Sequence, residues 1–241
     1  VCIEYSHDPI NDKWKNVWHW FIFGGSVLAP FLLGVLFTSI VRGMPIDENM
    51  TMWATFTDYV NVYSVVGGLA VVLLTLVHGL TFIGLRTTGP VHTRALALLK
   101  KVYIALFAGL VVFAVLTYFN TDLFTVRPVA TPVFLVCIVL AALLGFIFAN
   151  KGKEGWAFTM SGLTIVLTVA MLFVGLFPRV MISSIDPAFN LTINNAASGQ
   201  YTLSLMTKIS LTLLPFVLGY QIWSYYIFRK RISHKDTVNY E

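Results

Sequence analysis

The sequence predicts an all-α integral membrane protein, a bundle of six transmembrane helices with both ends of this chain in the cytoplasm. Hydrophobic residues make up 57% of the 241 residues and charged residues only 11%, against roughly 25% charged residues in a soluble domain. A helix of about 20 apolar residues spans a bilayer and satisfies its own backbone hydrogen bonds there. Six stretches that long lack Asp, Glu, Lys and Arg: 16–41, 59–85, 102–121, 128–150, 155–178 and 209–228.

The placement of the basic residues predicts the orientation. If the carboxyl end is cytoplasmic, the inner segments hold twelve of the sixteen Lys and Arg residues, as the positive-inside rule requires. These twelve are Lys13, Lys15, Arg86, Arg94, Lys100, Lys101, Lys151, Lys153, Arg229, Lys230, Arg231 and Lys235. The outer segments hold Arg42, Arg127 and Arg179. Topology and contact with anionic lipid therefore explain the net charge of +5, and no nucleic-acid partner is predicted.

We expect one transmembrane domain over 1–241, with spans at about 17–41, 59–85, 102–120, 129–150, 156–177 and 203–228. Tryptophan rings favour the headgroup level, so the cluster with which the first span opens predicts an anchor: Trp14, Trp18 and Trp20. Small residues let a second helix approach closely, and three lie near mid-span: Gly24, Gly25 and Ala29. Pro30 removes a backbone donor and predicts a bend.

The second span carries the residue of greatest chemical interest. His78 lies about 10 Å from the inner end of this span at ~1.5 Å per residue, and it is the only deeply placed ionisable side chain besides Lys208. It is therefore the intramembrane polar candidate. We expect a neutral imidazole bonded to a neighbouring helix. Lys208, at the outer edge of the last span, is expected to snorkel outward, with pairing to Asp186 or contact with another subunit as alternatives.

The segments between the predicted spans indicate two tight turns on the inner side and a longer folded loop on the outer side. The inner segment RTTGPVHTRALALLKK should turn at Gly89 and Pro90 and continue as a helix into the third span. The inner segment NKGKEG should join the fourth and fifth spans as a hairpin. The outer segment 178–201 is longer than a simple connection needs and is expected to cover something. Pro215 with Gly219 could break the sixth span.

No set of residues predicts catalysis, cofactor binding or a metal site in this chain. A buried haem b normally needs two axial histidines at matched depth, and of the five histidines only His19 and His78 lie in spans, at different depths. Cys2 and Cys137 lack the CxxC spacing of a thiolate metal site. No Asp or Glu lies inside a span, which disfavours a proton-coupled carrier. These features fit a supporting subunit better than an enzyme.

Several strings are distinctive: WKNVWHW at 14–20, RTTGPVHTRA at 86–95, GWAFTMSGLTI at 155–165, LFPRVMISS at 176–184, LTINNAASGQYTLSLM at 191–206 and the ending LPFVLGYQIWSYYIFRKRI. Taken in order, these strings resemble subunit II of the cytochrome bd quinol oxidases. The agreement covers essentially the whole chain. The family has eight spans, and IEY at 3–5 resembles the motif after its second span. The resemblance therefore implies that the first two-helix hairpin is missing and that the start at Val1 is an interior one.

The resemblance implies a part in a terminal oxidase of the bacterial cytoplasmic membrane that oxidises quinol and reduces oxygen to water. Two b haems and a haem d would belong to subunit I, and this chain would hold no redox ligand. It would brace subunit I, help to form a proton or oxygen route, and in some members bind a structural quinone. The implied partners are subunit I, a small single-helix subunit, membrane lipid, and quinol through the complex.

One residue role also follows from the resemblance. Glu4 matches an acidic position near the cytoplasmic mouth of a proposed proton path, and a solvated loop acid is the alternative interpretation. Ser6 stands where the family usually has Arg, and His19 replaces an acid between the two tryptophans. The alternative function for the whole chain is a free-standing secondary transporter of six spans.

Overall fold

A computed structural model describes residues 12–228. Within that range six helices are long and apolar enough to cross a membrane, which confirms the prediction of an all-α protein with six spans. They are α1 (Asp12–Arg42), α3 (Val62–Arg86), α4 (Pro90–Asn120), α6 (Ala130–Asn150), α7 (Glu154–Leu176) and α8 (Gln200–Ile227). Two single-turn helices lie in the connections, α2 (Phe56–Tyr59) and α5 (Leu123–Val126).

The helix ends follow local sequence signals. Asn61 caps α3, because its side chain accepts a hydrogen bond from the Ser64 amide while the Ser64 hydroxyl accepts one from the Asn61 amide. Gly89 has φ +78° and Pro90 is the first residue of α4, so the chain turns where the sequence predicts. Gly152, with φ +70°, makes the tight turn between α6 and α7. We call the end of the bundle that carries segments 87–89 and 151–153 the basic end, and the opposite end the loop end.

Helix α3 is the centre of the bundle and packs against α1, α4 and α7, while α6 and α7 form an antiparallel hairpin. Glycines bring α1 and α3 into backbone contact. A Cβ atom on Gly34 would lie 2.7 Å from the Cα of Gly68 and 2.8 Å from the carbonyl oxygen of Gly67. The close approach expected at Gly24 and Gly25 is not found, because no atom of the described residues lies within 4 Å of their Cβ positions. The contact is made farther along the helix.

Helix α8 stands apart from the rest of the described chain. None of its residues is buried within residues 12–228, and none of the other helices packs along it. The Arg86 guanidinium donates a hydrogen bond of 3.1 Å to the carbonyl of Phe228, just beyond the end of α8. The helix runs without interruption through Pro215 and Gly219, so the break that the proline allowed does not occur.

The connections at the loop end fold together over the bundle. Strand β1 (Arg179–Met181) pairs antiparallel with β2 (Leu191–Thr192), and a 3₁₀ helix (Pro187–Phe189) lies between them. The segment after α1 joins them, because the Met44 amide donates to the Ile182 carbonyl at 2.9 Å and the Ser184 amide donates to the Met44 carbonyl at 2.8 Å. The long outer segment therefore covers the loop end of the bundle.

Asp47 organises the segment after α1. Its carboxylate accepts hydrogen bonds from the amides of Asn49 and Thr51, both at 2.9 Å, and from the Trp53 indole at 2.8 Å. These hydrogen bonds hold the pKa of Asp47 below its ordinary value of 3.8, and the bond from the Trp53 indole has the largest effect. The carboxylate thus fixes the turn in its ionised form.

We expect Asp47→Ala to loosen this turn, with amide hydrogen exchange in segment 43–55 rising severalfold at pH 7. Because the folded pKa is depressed, the stabilisation is complete above the ordinary pKa of 3.8 and is lost as the pH falls through the folded value. The difference between variant and parent should therefore vanish on strong acidification. Glu48→Ala, at the exposed neighbour, is the control. Equal exchange in both variants at pH 7 would contradict the role of Asp47.

Candidate functional site

A cluster of polar side chains links α3 to α7 inside the bundle. The Nδ1 atom of His78 lies 2.9 Å from the hydroxyl oxygen of Ser161, and the Thr81 hydroxyl lies 3.1 Å from the same oxygen. His78 and Thr81 are three residues apart and so share one face of α3. Ser161 and Thr81 are buried and His78 is half-buried. The interhelical hydrogen bond expected of His78 is present.

The local sequence of α7 makes room for the imidazole. The Phe158 ring stacks on the His78 ring with a centroid distance of 4.5 Å. On the other side of Ser161, a Cβ atom on Gly162 would lie 3.5 Å from the imidazole Cε1, so the ring lies flush against the helix. An aromatic residue, a serine and a glycine within five positions thus form the seat of His78.

The cluster is suited to holding two helices together. The Ser161 hydroxyl donates to the carbonyl of Phe158 at 2.8 Å, and the Thr81 hydroxyl donates to the carbonyl of His78 at 2.8 Å. Both hydroxyl protons therefore have backbone acceptors in their own helices, and the serine oxygen remains available to accept from Nδ1–H. Interhelical hydrogen bonds of this kind contribute about 0.6 kcal/mol each in a membrane.

An ion pair and a histidine–carboxylate contact, neither of which the sequence singled out, lie at opposite ends of the bundle. At the loop end Arg179 makes a bidentate pair with Asp122, with nitrogen–oxygen distances of 2.5 and 3.0 Å. At the basic end the Nε2 atom of His92 pairs with a carboxylate oxygen of Glu154, which joins the start of α4 to the start of α7. The first contact joins β1 to the turn that follows α4, and the second holds the starts of α4 and α7 together at the basic end.

The Arg179–Asp122 pair borders a cavity of ≈480 Å³ at the loop end. Its walls combine charged and amide side chains with a few apolar ones, including Arg42, Asn120, Asn190 and Ile182. The long outer segment lines part of this cavity, between Arg179 and Asn190. The end of α1 and the chain from Phe119 to Thr125 line the rest.

The structure does not bring the two span histidines together. His19 is exposed on α1 and borders a shallow depression with Asn16, Trp20 and Phe23, whereas His78 faces α7. Two imidazoles facing each other across a gap, as a haem b would need, are not found within residues 12–228. In the same range no group of three or more His, Cys, Asp or Glu side chains is arranged to hold a metal ion.

Two other predicted positions remain. Glu4 lies outside the described residues. Lys208 is exposed on α8 and, within the described range, makes no ion pair with Asp186, whose carboxylate instead accepts a hydrogen bond from the Ala188 amide at 2.8 Å. Two of the strings that carried the resemblance adjoin the His92–Glu154 contact, because segment 86–95 contains His92 and segment 155–165 begins directly after Glu154.

Comparison with known proteins identifies the family. The sequence model described as cytochrome bd terminal oxidase subunit II matches residues 1–228. Cytochrome bd ubiquinol oxidase subunit 2 of Bacillus subtilis (strain 168) is 50% identical over 240 residues, which are 100% of this chain and 71% of the relative. Cytochrome bd-I ubiquinol oxidase subunit 2 of Escherichia coli (strain K12) is 28% identical over 272 residues, covering 98% of this chain and 71% of the relative.

A third relative agrees. The probable cytochrome oxidase subunit 2 of Haemophilus influenzae is 26% identical over 254 residues, covering 92% of this chain and 67% of the relative. The six apolar helices and the extent of these matches support the same assignment. The chain is a multi-pass bacterial membrane protein, and it belongs to the cytochrome bd terminal oxidase subunit II family.

Proposed function

We propose that this chain is the haem-free subunit of a bd-type quinol oxidase, embedded in the cytoplasmic membrane with both ends of the chain on the cytoplasmic side. The family implies a complex with subunit I, and in our proposal subunit I holds the two b haems and the haem d. The observation that carries the proposal is the commitment of His78 to Ser161 and Phe158 of α7, with no second imidazole opposite it among the described residues.

The proposed role of the chain is to brace subunit I across the membrane. Helix α8 supports this role, because it is 28 residues long and none of its residues is buried by the rest of the described chain. About half of α1 is similarly exposed, from Val17 to Leu33, where five residues are half-buried and none is buried by the described chain. Faces of this extent suit a partner that is itself embedded in the bilayer, and we assign them to subunit I. Contact with a small single-helix subunit, or with a structural quinone, is a further part of the proposal.

Purification of the complex at native expression tests the proposal. A red-shifted haem d band that co-purifies with this chain supports it. A colourless, stable monomer would contradict it and would instead support the free-standing transporter, which family membership does not favour. Chemical labelling of the basic end in sealed inverted vesicles tests the orientation, because only a cytoplasmic basic end is accessible there.

We expect His78→Ala to leave every haem absorbance band of the complex intact, because the imidazole links α3 to α7. The expected cost is small, about 1 kcal/mol of stability, and is measured by thermal unfolding of the purified complex. Ser161→Ala removes the same hydrogen bond from the other side and should behave alike. The loss of one b-type signal in the His78 variant alone would show that this chain ligates haem.

We further propose that Glu4 collects protons for the complex, although it lies outside the described residues. Glu4→Gln should then slow oxygen consumption severalfold without changing the haem content, because a neutral amide cannot bind and release a proton in this range. Glu48→Gln, an exposed acid at the loop end, is the matched control. Unchanged turnover of the Glu4 variant across the pH range would dispose of this role.

A further inference from the structure

A groove runs between α4 and the end of α6 at the basic end of the bundle. It has a volume of ≈650 Å³, which lies within the range of small-molecule sites. Its apolar wall contains Leu96, Leu99, Tyr103, Phe146 and Ala149, and its rim contains Lys100, Lys101 and Asn150. The rim residues are exposed, whereas Leu99 and Tyr103 are almost fully buried. The groove thus has an apolar floor and a cationic edge.

The depth of the two lysines places the edge at the level of lipid phosphates. Helix α4 has 31 residues and is about 46 Å long at ~1.5 Å per residue, which exceeds the ~30 Å hydrocarbon layer. Its stretch without charged residues begins at Val102. Lys100 and Lys101 are therefore the last charged residues before α4 enters the apolar layer. They lie at the level of the lipid headgroups.

The charge of the groove favours an anion. None of the described residues that line it carries a carboxylate. The carboxylate of Glu154 contacts His92, a residue that lines the groove. Within residues 12–228, Lys100 and Lys101 form neither of the two side-chain pairs found with carboxylates. Two ammonium groups beside an apolar wall complement a molecule that has a phosphate at one end and a hydrocarbon chain at the other.

We propose that this groove binds one anionic phospholipid of the surrounding leaflet, with its phosphate on Lys100 and Lys101 and part of an acyl chain along the apolar wall. The lipid fills the gap that α4 and α6 leave between them and so fastens the α6–α7 hairpin to α4. This inference is independent of which subunit holds the haems.

Photolabelling of the intact oxidase complex in nanodiscs tests the proposal. Phosphatidylglycerol and phosphatidylcholine, each with a diazirine in the same acyl chain, are compared by mapping adducts on segments 92–103 and 146–152. We expect phosphatidylglycerol to label these segments about 25-fold more than phosphatidylcholine, because each of the two lysines near the membrane surface favours anionic lipid about fivefold. The double variant K100Q/K101Q should reduce the labelling to the phosphatidylcholine level.

Matched controls keep the test specific. The double variant K13Q/K15Q removes the same charge from the basic end of α1 and should leave the labelling unchanged. Ala97→Trp fills the groove without altering charge and should abolish the labelling, whereas Ala105→Trp, on an exposed part of α4 outside the groove, should not. Unchanged haem absorbance shows that each variant assembles. If K100Q/K101Q fails to assemble, the Ala97 and Ala105 pair decides.

Four labelling results would overturn the proposal. They are equal labelling by the two lipids, loss of labelling in the K13Q/K15Q control, persistence of labelling in Ala97→Trp, and full competition by excess glycerol 3-phosphate, which would indicate a site for a soluble phosphate. A photocrosslinker at position 97 that captures a protein chain in place of lipid would assign the groove to a subunit interface and would equally exclude a lipid.

Discussion

Replacing Gly34 by alanine is expected to lower the free energy of unfolding of the complex by about 3 kcal/mol, the upper end of the usual cost of overpacking. The added Cβ would meet the Cα of Gly68 at 2.7 Å and the carbonyl oxygen of Gly67 at 2.8 Å. These are backbone atoms, so no change of rotamer can relieve the overlap, and α1 must move away from α3. Denaturation of the purified complex by a detergent titration measures the loss.

Gly79→Ala on α3, which lies outside the faces assigned to subunit I, is the matched control. No atom of the described residues lies within 4 Å of its Cβ position, and alanine favours a helix over glycine by about 1 kcal/mol. The two variants carry the same chemical change and should shift stability in opposite directions. A Gly34 variant as stable as the parent would show that α1 and α3 do not touch as described.

Tyr63→Ala is expected to cost about 3–5 kcal/mol, as truncation of a buried aromatic side chain does. Tyr63 is 1% exposed, and its ring stacks on Phe113 with a centroid distance of 5.6 Å and an interplanar angle of 9°. The alanine variant leaves a cavity between α3 and α4 that neither neighbouring helix can close. Thermal unfolding of the complex, followed through its haem absorbance, measures the effect.

Tyr63→Phe separates packing from hydrogen bonding. It removes only the contact of 3.3 Å between the Tyr63 and Thr117 hydroxyls. Thr117 still donates to the Phe113 carbonyl at 2.7 Å, so the expected cost is near 1 kcal/mol. If the phenylalanine variant were as unstable as the alanine variant, the hydrogen bond and not the ring stack would hold these helices.

The hydropathy of the chain was sufficient to predict six spans, because length and lack of charge decide whether a helix enters a bilayer. It could not predict which helices touch. Gly24 and Gly25 are glycines within a span, as are Gly34, Gly67 and Gly68, yet among residues 12–228 only the latter three meet another helix. Close approach depends on which face of each helix turns inward, and in lipid both faces are apolar.

In the candidate site, too, the sequence predicted one residue but not the residues that contact it. His78 could be singled out from the sequence because an ionisable residue deep in a span is costly. Its partner Ser161 lies 83 positions away along the chain. The local sequence of α7 indicates this contact only through a serine that is followed by a glycine, Gly162, within a span. The strands β1 and β2 were missed because segments of three and two residues are too short to show an alternating pattern.

The isolation of α8 bears on how the subunit is made. The five earlier spans bury one another within residues 12–228 and need nothing from α8 to do so. These five helices can therefore pack together while the ribosome is still translating α8. The packing of α8 against a partner subunit is then a separate, late step of biogenesis. Until that step, an unassembled chain exposes α8 to membrane proteases.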